Sequence, residues 1–238
     1  MAEPTRYVLS CEHGGNEIPP AYLGLFESPA AQAALASHRG WDPGSLEIAE
    51  RLACVLDAPL VVQRVSRLLV ECNRSLGHPR LWSEFSSGLT SVEKAHVLFH
   101  HWQAHRDAVR RAIGRIERGA RVVHLSVHTF TPVWEGRTRA TDIGLLYDPA
   151  RAGEGGVART WQRVLGAQPP ARGLKIHLNR PYRGWTDALV TALRRELAEA
   201  RYLGLELEVS QGLVPVPAEV VDAVGTSLRS ATHTDGAG

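Results

Sequence analysis

The 238-residue sequence has few lysines, few cysteines, almost no net charge and no long apolar run. A formal net charge of +2 gives no overall electrostatic attraction to nucleic acid, so we expect no nucleic-acid partner. No apolar stretch approaches the roughly 20 residues that cross a bilayer, so we expect no membrane partner either. The first residues are neither basic nor apolar, which argues against a secretory signal.

The three cysteines, Cys11, Cys54 and Cys72, form an odd and widely spaced set. Such a set is typical of reduced thiols and predicts a cytoplasmic location. Lysine is also scarce, because Lys94 and Lys175 are the only two and 25 of the 27 basic residues are arginines. The planar guanidinium group suits two-point binding of carboxylates, so a few of these arginines are candidates for substrate binding.

Short apolar runs alternate with amphipathic segments, and this alternation predicts an α/β fold. We expect strands at 6–11, 60–62, 68–70, 122–128, 142–147, 174–178 and 204–209. We expect helices at 29–38, 43–57, 91–118, 154–166, 185–201 and 217–228, with loops at 75–90 and 133–141. Asp42 followed by Pro43 predicts that Asp42 caps the second helix. The chain is thus predicted to be one domain over residues 1–230, a mixed sheet with helices on both faces, followed by a frayed tail at 231–238.

Two histidines stand where predicted strands end. His13 follows the first strand in the segment SCEHGGNEIP, and His128 ends the strand at 122–128. Ligands of open α/β sheets bind at the carboxyl ends of the strands, and a catalytic zinc needs about three protein ligands. The two histidines therefore predict a zinc site. Its third ligand is left open between Asp42, which a helix-capping role also explains, and Glu17, which a solvated loop position also explains.

Five further polar residues, in three segments of the chain, are candidates for substrate chemistry. Asn73 and Arg74 follow the predicted strand at 68–70, and an arginine beside an asparagine can bind a substrate carboxylate. Arg67, just before that strand, is a candidate for stabilising an oxyanion. Glu206 and Glu208 alternate along the last strand and share one face of it. Glu208 lies nearer the carboxyl end and is the candidate general base.

Five segments of the chain together resemble the N-formylglutamate amidohydrolase family. They are SCEHGGNEIP (10–19), HRGWDPG (38–44), VSRLLVECNRS (65–75), SVHTFTP (126–132) and ELEVSQ (206–211), in consistent order. The resemblance implies a phosphorylase/hydrolase-like α/β fold, distantly similar to zinc carboxypeptidases and aspartoacylases. It also implies that His13 and His128 are metal ligands, that Asn73 and Arg74 bind the substrate carboxylate, and that Glu208 is the general base.

One position departs from the pattern of the distant relatives. They carry the acidic ligand three residues after the first histidine, where this chain has Asn16. We favour Asp42 over Glu17 as the acidic ligand, because Asp42 is predicted to start the first crossover helix.

The resemblance implies a zinc-dependent amidohydrolase. Its expected substrate is an N-acyl amino acid, N-formyl compounds included, or a related small molecule or peptide amide that carries a carboxylate. A water activated by zinc is the expected nucleophile. Two alternatives stay open: a thiol hydrolase in which Cys11 attacks with His13 or His128 as base, and a zinc-stabilised binding protein without activity.

Overall fold

The computed structural model describes residues 4–233 and is built on one six-stranded sheet. The strands are β1 (Thr5–Cys11), β2 (Leu60–Val62), β3 (Arg121–Phe130), β4 (Val133–Trp134), β5 (Arg137–Thr138), β6 (Ile143–Leu146), β7 (Ile176–Leu178) and β8 (Tyr202–Ser210). The sheet has the order β2-β1-β3-β8-β6-β7, while β4 and β5 form a separate hairpin. Strands β2, β1, β3 and β8 are parallel, and β6 pairs antiparallel with β8. The carboxyl ends of β1, β3 and β8 therefore meet at one edge.

Helices cover both faces of this sheet. They are α1 (Pro29–Ala36), α2 (Ser45–Leu56), α3 (Ser91–Val97), α4 (Ala104–Gly114), α5 (Ala152–Ala167), α6 (Leu189–Glu196) and α7 (Ala218–His233). Helices α2, α5 and α7 pack in the largest apolar cluster on one face, and α4 and α6 pack on the other. A π-helical segment, Leu98–Gln103, joins α3 to α4. This arrangement confirms the predicted single-domain α/β class with a mixed sheet.

The two faces of β3 differ in polarity. Side chains alternate along a strand, and Val123, Leu125 and Val127 belong to the main apolar cluster. The opposite face carries His124, Ser126 and His128, all buried. Strand β3 pairs in parallel with β1 on one side and with β8 on the other. His124, Ser126 and His128 therefore form a buried row of polar side chains on one face of the sheet, and the row ends at His128.

Several predicted boundaries are wrong. The run Leu68-Leu69-Val70 lies in a turn and not in a strand, with Leu69 N donating to Ser66 O at 2.9 Å. It is apolar because it packs in a second cluster with residues of α1 and the 75–90 loop. Asn73 and Arg74 consequently do not follow a strand end.

The start of the second helix also differs from the prediction. Gly44 adopts φ +83°, a left-handed conformation that favours glycine, and α2 begins only at Ser45. Asp42 therefore lies outside the cap position, and its carboxylate makes no capping bond to the helix.

The remaining differences concern element ends. The helix expected at 91–118 contains the π-helical segment and ends at Gly114, and the helix expected at 185–201 covers only Leu189–Glu196. The loop expected at 133–141 contains the β4–β5 hairpin. The last helix extends to His233, and residues 234–238 of the predicted tail lie outside the described residues.

Candidate active site

The turn after β1 places His13 at the edge where the parallel strands end. Glu17 N donates to Arg64 O at 3.0 Å and Ser66 N donates to Glu17 O at 2.8 Å, so this loop is paired with the chain after β2. The two segments approach so closely that a Cβ on Gly15 would lie 2.4 Å from the Arg64 carbonyl oxygen. Glycine is required there because any side chain would collide with backbone.

His13, Asp42 and His128 converge on one point. His13 Nδ1 lies 3.1 Å from Asp42 Oδ2 and 3.2 Å from His128 Nδ1, and His128 Nδ1 lies 2.9 Å from Asp42 Oδ2. All three side chains are buried. Ligand atoms about 2.1 Å from a tetrahedral zinc are separated by about 3.4 Å, so the observed triangle is only slightly tighter than a zinc site.

The chemistry of these donors also fits a divalent cation. Two imidazoles and one carboxylate form a set that binds catalytic zinc and leaves one position open. Burial would raise the pKa of the Asp42 carboxyl, but the rings of His13 and His128 hold it below its usual value. Burial would lower the pKa of His128, but bonds to Asp42 and Glu12 raise it well above its usual value. The same buried anions that favour a protonated ring would stabilise a metal cation.

Each histidine of this group is held by a second carboxylate through its other ring nitrogen. His13 Nε2 lies 2.5 Å from Glu71 Oε1, and His128 Nε2 lies 3.2 Å from Glu12 Oε2. Ser126 Oγ donates to the same Glu12 oxygen at 2.6 Å. A carboxylate that accepts a hydrogen bond from Nε2 keeps the ring proton on that nitrogen. The lone pair of Nδ1 is then free to bind a metal ion. Sequence reasoning missed both glutamates, although Glu12 stands directly before His13 and Glu71 stands in the matched segment at 65–75.

Arg67 joins the inner and outer carboxylates. Its Nη1 donates to Asp42 Oδ1 at 3.1 Å, and its Nε donates to Glu71 Oε2 at 2.7 Å. Burial would raise the pKa of the Glu71 carboxyl, but Arg67 and then His13 bring it below its usual value. Arg67 is therefore the main group that keeps Glu71 ionised, it adds to the effect of the two histidines on Asp42, and it bonds to both carboxylates.

Glu208 is a buried acid that lacks a full set of hydrogen-bond partners. It projects from β8 on the face that also carries His128, since the two residues are register partners in the parallel β3–β8 pair. Burial raises the pKa of Glu208 to about 8, and the nearby Asp42 and Glu206 add to the effect, although His128 opposes it. Its Oε2 is buried with no hydrogen-bond partner within residues 4–233. We refer to His13, Asp42 and His128 as the metal group. An acid beside it that has a raised pKa and an oxygen without a partner is suited to proton transfer.

Asn73 and Arg74 also border the site, but each already has protein partners. The Asn73 side chain accepts from Leu189 N at 2.8 Å, and its amide nitrogen lies 3.4 Å from His128 Nε2. Arg74 Nη1 donates to the Asp187 carbonyl, while Trp102 and Arg106 both donate to the Arg74 carbonyl at 2.8 Å.

The other residues considered from the sequence do not belong to the group of His13, Asp42 and His128. Glu17 and Asn16 are exposed, and Asn16 Nδ2 donates to Leu35 O at 3.0 Å. Cys11 is fully buried in the main apolar cluster, and burial raises the pKa of its thiol to about 12. A nucleophilic cysteine needs exposure and a low pKa, so these properties oppose the thiol-hydrolase alternative.

A cavity of about 590 Å³ opens over the metal group. Its wall includes His13, Asp42, His128 and Glu208 on the inner side and Tyr182 towards the mouth. This volume is within the range of about 300–1,000 Å³ that is common for small-molecule sites.

Comparison with known proteins identifies the relatives of this chain. The family model described as N-formylglutamate amidohydrolase matches residues 5–214. The chain belongs to the N-formylglutamate amidohydrolase family. This confirms the resemblance and makes the chain a hydrolytic enzyme, and the family fits hydrolysis of an N-acyl amino acid.

A solved structure shares this fold. The gene product Atu2144 from Agrobacterium tumefaciens is 27% identical with a TM-score of 0.77, over 95% of this chain and 88% of that one. Succinylglutamate desuccinylase from Chromobacterium violaceum is 15% identical with a TM-score of 0.41, over 99% of this chain and 62% of that one. The latter likeness is too low to add to the argument. No curated protein matches the sequence. Within residues 4–233, no helix has the length and apolar character needed to cross a bilayer.

Proposed function

We propose that this N-formylglutamate amidohydrolase family member uses one zinc ion to hydrolyse the amide of a small N-acyl amino acid, with N-formyl-L-glutamate as the first candidate substrate. The observation that carries the proposal is the buried triangle of His13 Nδ1, His128 Nδ1 and Asp42 Oδ2, with mutual distances of 2.9–3.2 Å. These three residues would hold the ion. When bound, zinc lowers the pKa of a water towards about 7 and polarises a carbonyl oxygen.

Glu208 acts in this proposal as the general base and then as the general acid. Burial raises its pKa to about 8, and a cation nearby would lower that value towards neutrality. A carboxyl group with a pKa near the working pH can take a proton from the attacking water and then deliver it to the leaving amine. Its Oε2, which has no partner in the described part of the chain, is the atom available for this transfer.

Arginines complete the proposed site. Arg67 is 26% exposed and lines the cavity beside the metal group, so its guanidinium can stabilise negative charge on the carbonyl oxygen in the transition state. Arg74 and Asn73 line the same cavity and are proposed to hold the substrate carboxylate. We place the enzyme in the cytoplasm, since Cys11, Cys54 and Cys72 are free thiols.

Metal analysis combined with amidase assays tests the proposal. The purified protein is expected to bind about one zinc per chain and to hydrolyse N-formyl amino acids. His13→Ala and His128→Ala should lose both properties, whereas His100→Ala, at an exposed position outside the site, should keep both. An enzyme that remains fully active after its metal has been removed would rule out this mechanism.

A further inference from the structure

Arg139 stands at the mouth of the cavity and is enclosed by aromatic rings. Its guanidinium carbon lies 5.0 Å from the ring centre of Tyr182, 5.2 Å from that of Trp134 and 5.6 Å from that of Phe130. Cations stack on aromatic faces at such distances, and Arg is the residue that does so most often. The rings come from β3, the β4–β5 hairpin and the loop after β7, so three separate parts of the fold hold this one side chain.

The hydrogen bonds of Arg139 leave most of its donors free. Nη1 donates to the Tyr182 hydroxyl at 3.0 Å and to Thr131 O at 3.4 Å. Within residues 4–233, its Nε and Nη2 have no hydrogen-bond partner and its charge has no carboxylate partner. A guanidinium carries five N–H donors in a planar fork, so one complete edge is available for a ligand.

The other arginines of the cavity are placed differently. Arg39 pairs with Glu84, Arg67 pairs with Asp42 and Glu71, Arg74 donates to the Asp187 carbonyl, and Arg80 and Arg183 are exposed. Arg139 and Arg74 are both half-buried and, as far as the described chain shows, have no carboxylate partner, but Arg139 is the one that three aromatic rings enclose. Phe130, Trp134 and Tyr182 form a cage that orients the guanidinium of Arg139 and leaves its charge unpaired. Such an arrangement is typical of an anion-binding position and not of a structural ion pair.

Tyr182 links Arg139 to the catalytic groups. Burial, followed by the negative charges of Glu208 and Asp42, raises the pKa of Tyr182, whereas Arg139 lowers it. The Tyr182 hydroxyl therefore lies within electrostatic reach of both Glu208 and the metal group, on the side of the cavity that Arg139 occupies.

We propose that Arg139 binds a carboxylate of the substrate through its free edge and thereby determines specificity for acidic substrates. The proposal rests on the proposed amidohydrolase function and adds a binding residue to Arg74. Phe130, Trp134 and Tyr182 fix the guanidinium and limit its contact with water, so that little freedom is lost when the carboxylate binds. Lysine at this position would retain the charge but not the two-point geometry.

The test uses three compounds that differ in one charge. N-formyl-L-glutamate is compared with N-formyl-L-glutamine, which lacks the side-chain carboxylate, and N-formyl-L-isoglutamine, which lacks the α-carboxylate. kcat and KM are measured for hydrolysis, and the affinity of each compound for the zinc-loaded protein is measured by calorimetry. The variants are Arg139→Gln, Arg139→Lys and Arg74→Gln. Arg137→Gln removes the same charge from an exposed position on the same hairpin and serves as the control.

The wild-type protein and Arg137→Gln are expected to discriminate against one of the two carboxamides by about 10- to 100-fold in kcat/KM and in affinity. Arg139→Gln should remove that discrimination through KM, with little change in kcat, and Arg139→Lys should retain part of it. If Arg139→Gln discriminates against each carboxamide as strongly as the wild type does, the proposal is overturned. Loss of the discrimination in Arg74→Gln alone would also overturn it and assign the role to Arg74.

The hydrolysis kinetics and the calorimetric affinities together distinguish a failure of this inference from a failure of the proposed function. Carboxylate-dependent binding that requires Arg139, without hydrolysis, would support the inference and overturn the function. Hydrolysis of all three compounds at equal efficiency would support the function and overturn the inference. The absence of both binding and hydrolysis would overturn both.

Discussion

Replacing Glu208 by glutamine is predicted to stabilise the metal-free protein and to lower the activity of the zinc-loaded enzyme. Burial raises the pKa of Glu208 to about 8 from an ordinary 4.5, so the folded protein keeps this carboxyl protonated at neutral pH. The unfolded chain ionises it above pH 4.5. The folded state therefore loses stability, relative to the unfolded chain, as the pH rises from about 4.5 to about 8.

The size of the effect follows from the two pKa values. A difference between 4.5 and about 8, at about 1.4 kcal/mol per unit, amounts to roughly 5 kcal/mol once the pH exceeds 8. Glutamine resembles the protonated acid in shape and does not ionise. The variant should therefore equal the wild type near pH 4.5 and exceed its unfolding free energy by several kcal/mol at pH 9, up to roughly 5.

Urea unfolding of the metal-free proteins at several pH values between 4.5 and 9 measures this difference. Glu27→Gln, at an exposed position, removes the same charge and should show no such dependence on pH. In the zinc-loaded enzyme, Glu208→Gln should lower kcat by about 10²- to 10⁴-fold while zinc remains bound. A stability difference that stays constant with pH would refute the burial argument, and a fully active variant would refute the role as general base.

Three further predictions concern other parts of the fold. Glu71→Gln should weaken zinc binding by about 10- to 100-fold in chelator competition because His13 loses its orienting carboxylate; unchanged affinity, equal to that of the exposed control Glu84→Gln, would contradict this. Iodoacetamide should leave activity intact, since the Cys11 thiol is buried with a pKa near 12; inactivation with mass labelling at Cys11 would revive the thiol mechanism. Burial lowers the pKa of His124 to about 4, so the contribution of His124 to stability should fall by about 3 kcal/mol as the pH drops from 6.5 to 4; His124→Asn should lack this contribution, so the difference in unfolding free energy between wild type and variant should change with pH by that amount.

The sequence predicts those residues of the site whose position depends on a local pattern, namely the two histidines at strand ends. An apolar run that ends in histidine marks the end of a strand, and the parallel pairing of β1 with β3 brings two such ends together. His13 and His128 were therefore predictable as neighbours. Asp42 was predicted for the wrong reason, since Gly44 and not Asp42 precedes the first turn of α2. The Asp42 carboxylate makes no capping hydrogen bond to the helix and is therefore free to reach the site.

The residues that the sequence did not reveal depend on contacts between distant segments. Glu71 reaches His13 because Leu68–Val70 turns within a loop-rich apolar cluster, whereas an apolar run alone suggests a strand. Glu12 acquires its role only when β3 presents His128 beside it. The cage around Arg139 is assembled from three parts of the chain, and neither spacing nor composition indicates such an assembly.

A crystal structure of the zinc-loaded protein, with anomalous scattering recorded on both sides of the zinc edge, tests the central claim most directly. One anomalous peak is expected, about 2.0–2.2 Å from His13 Nδ1, His128 Nδ1 and an Asp42 carboxylate oxygen, with Glu12 and Glu71 bonded to the opposite ring nitrogens. A peak ligated instead by Glu71 or Glu17, or no peak at full zinc loading, would contradict the account.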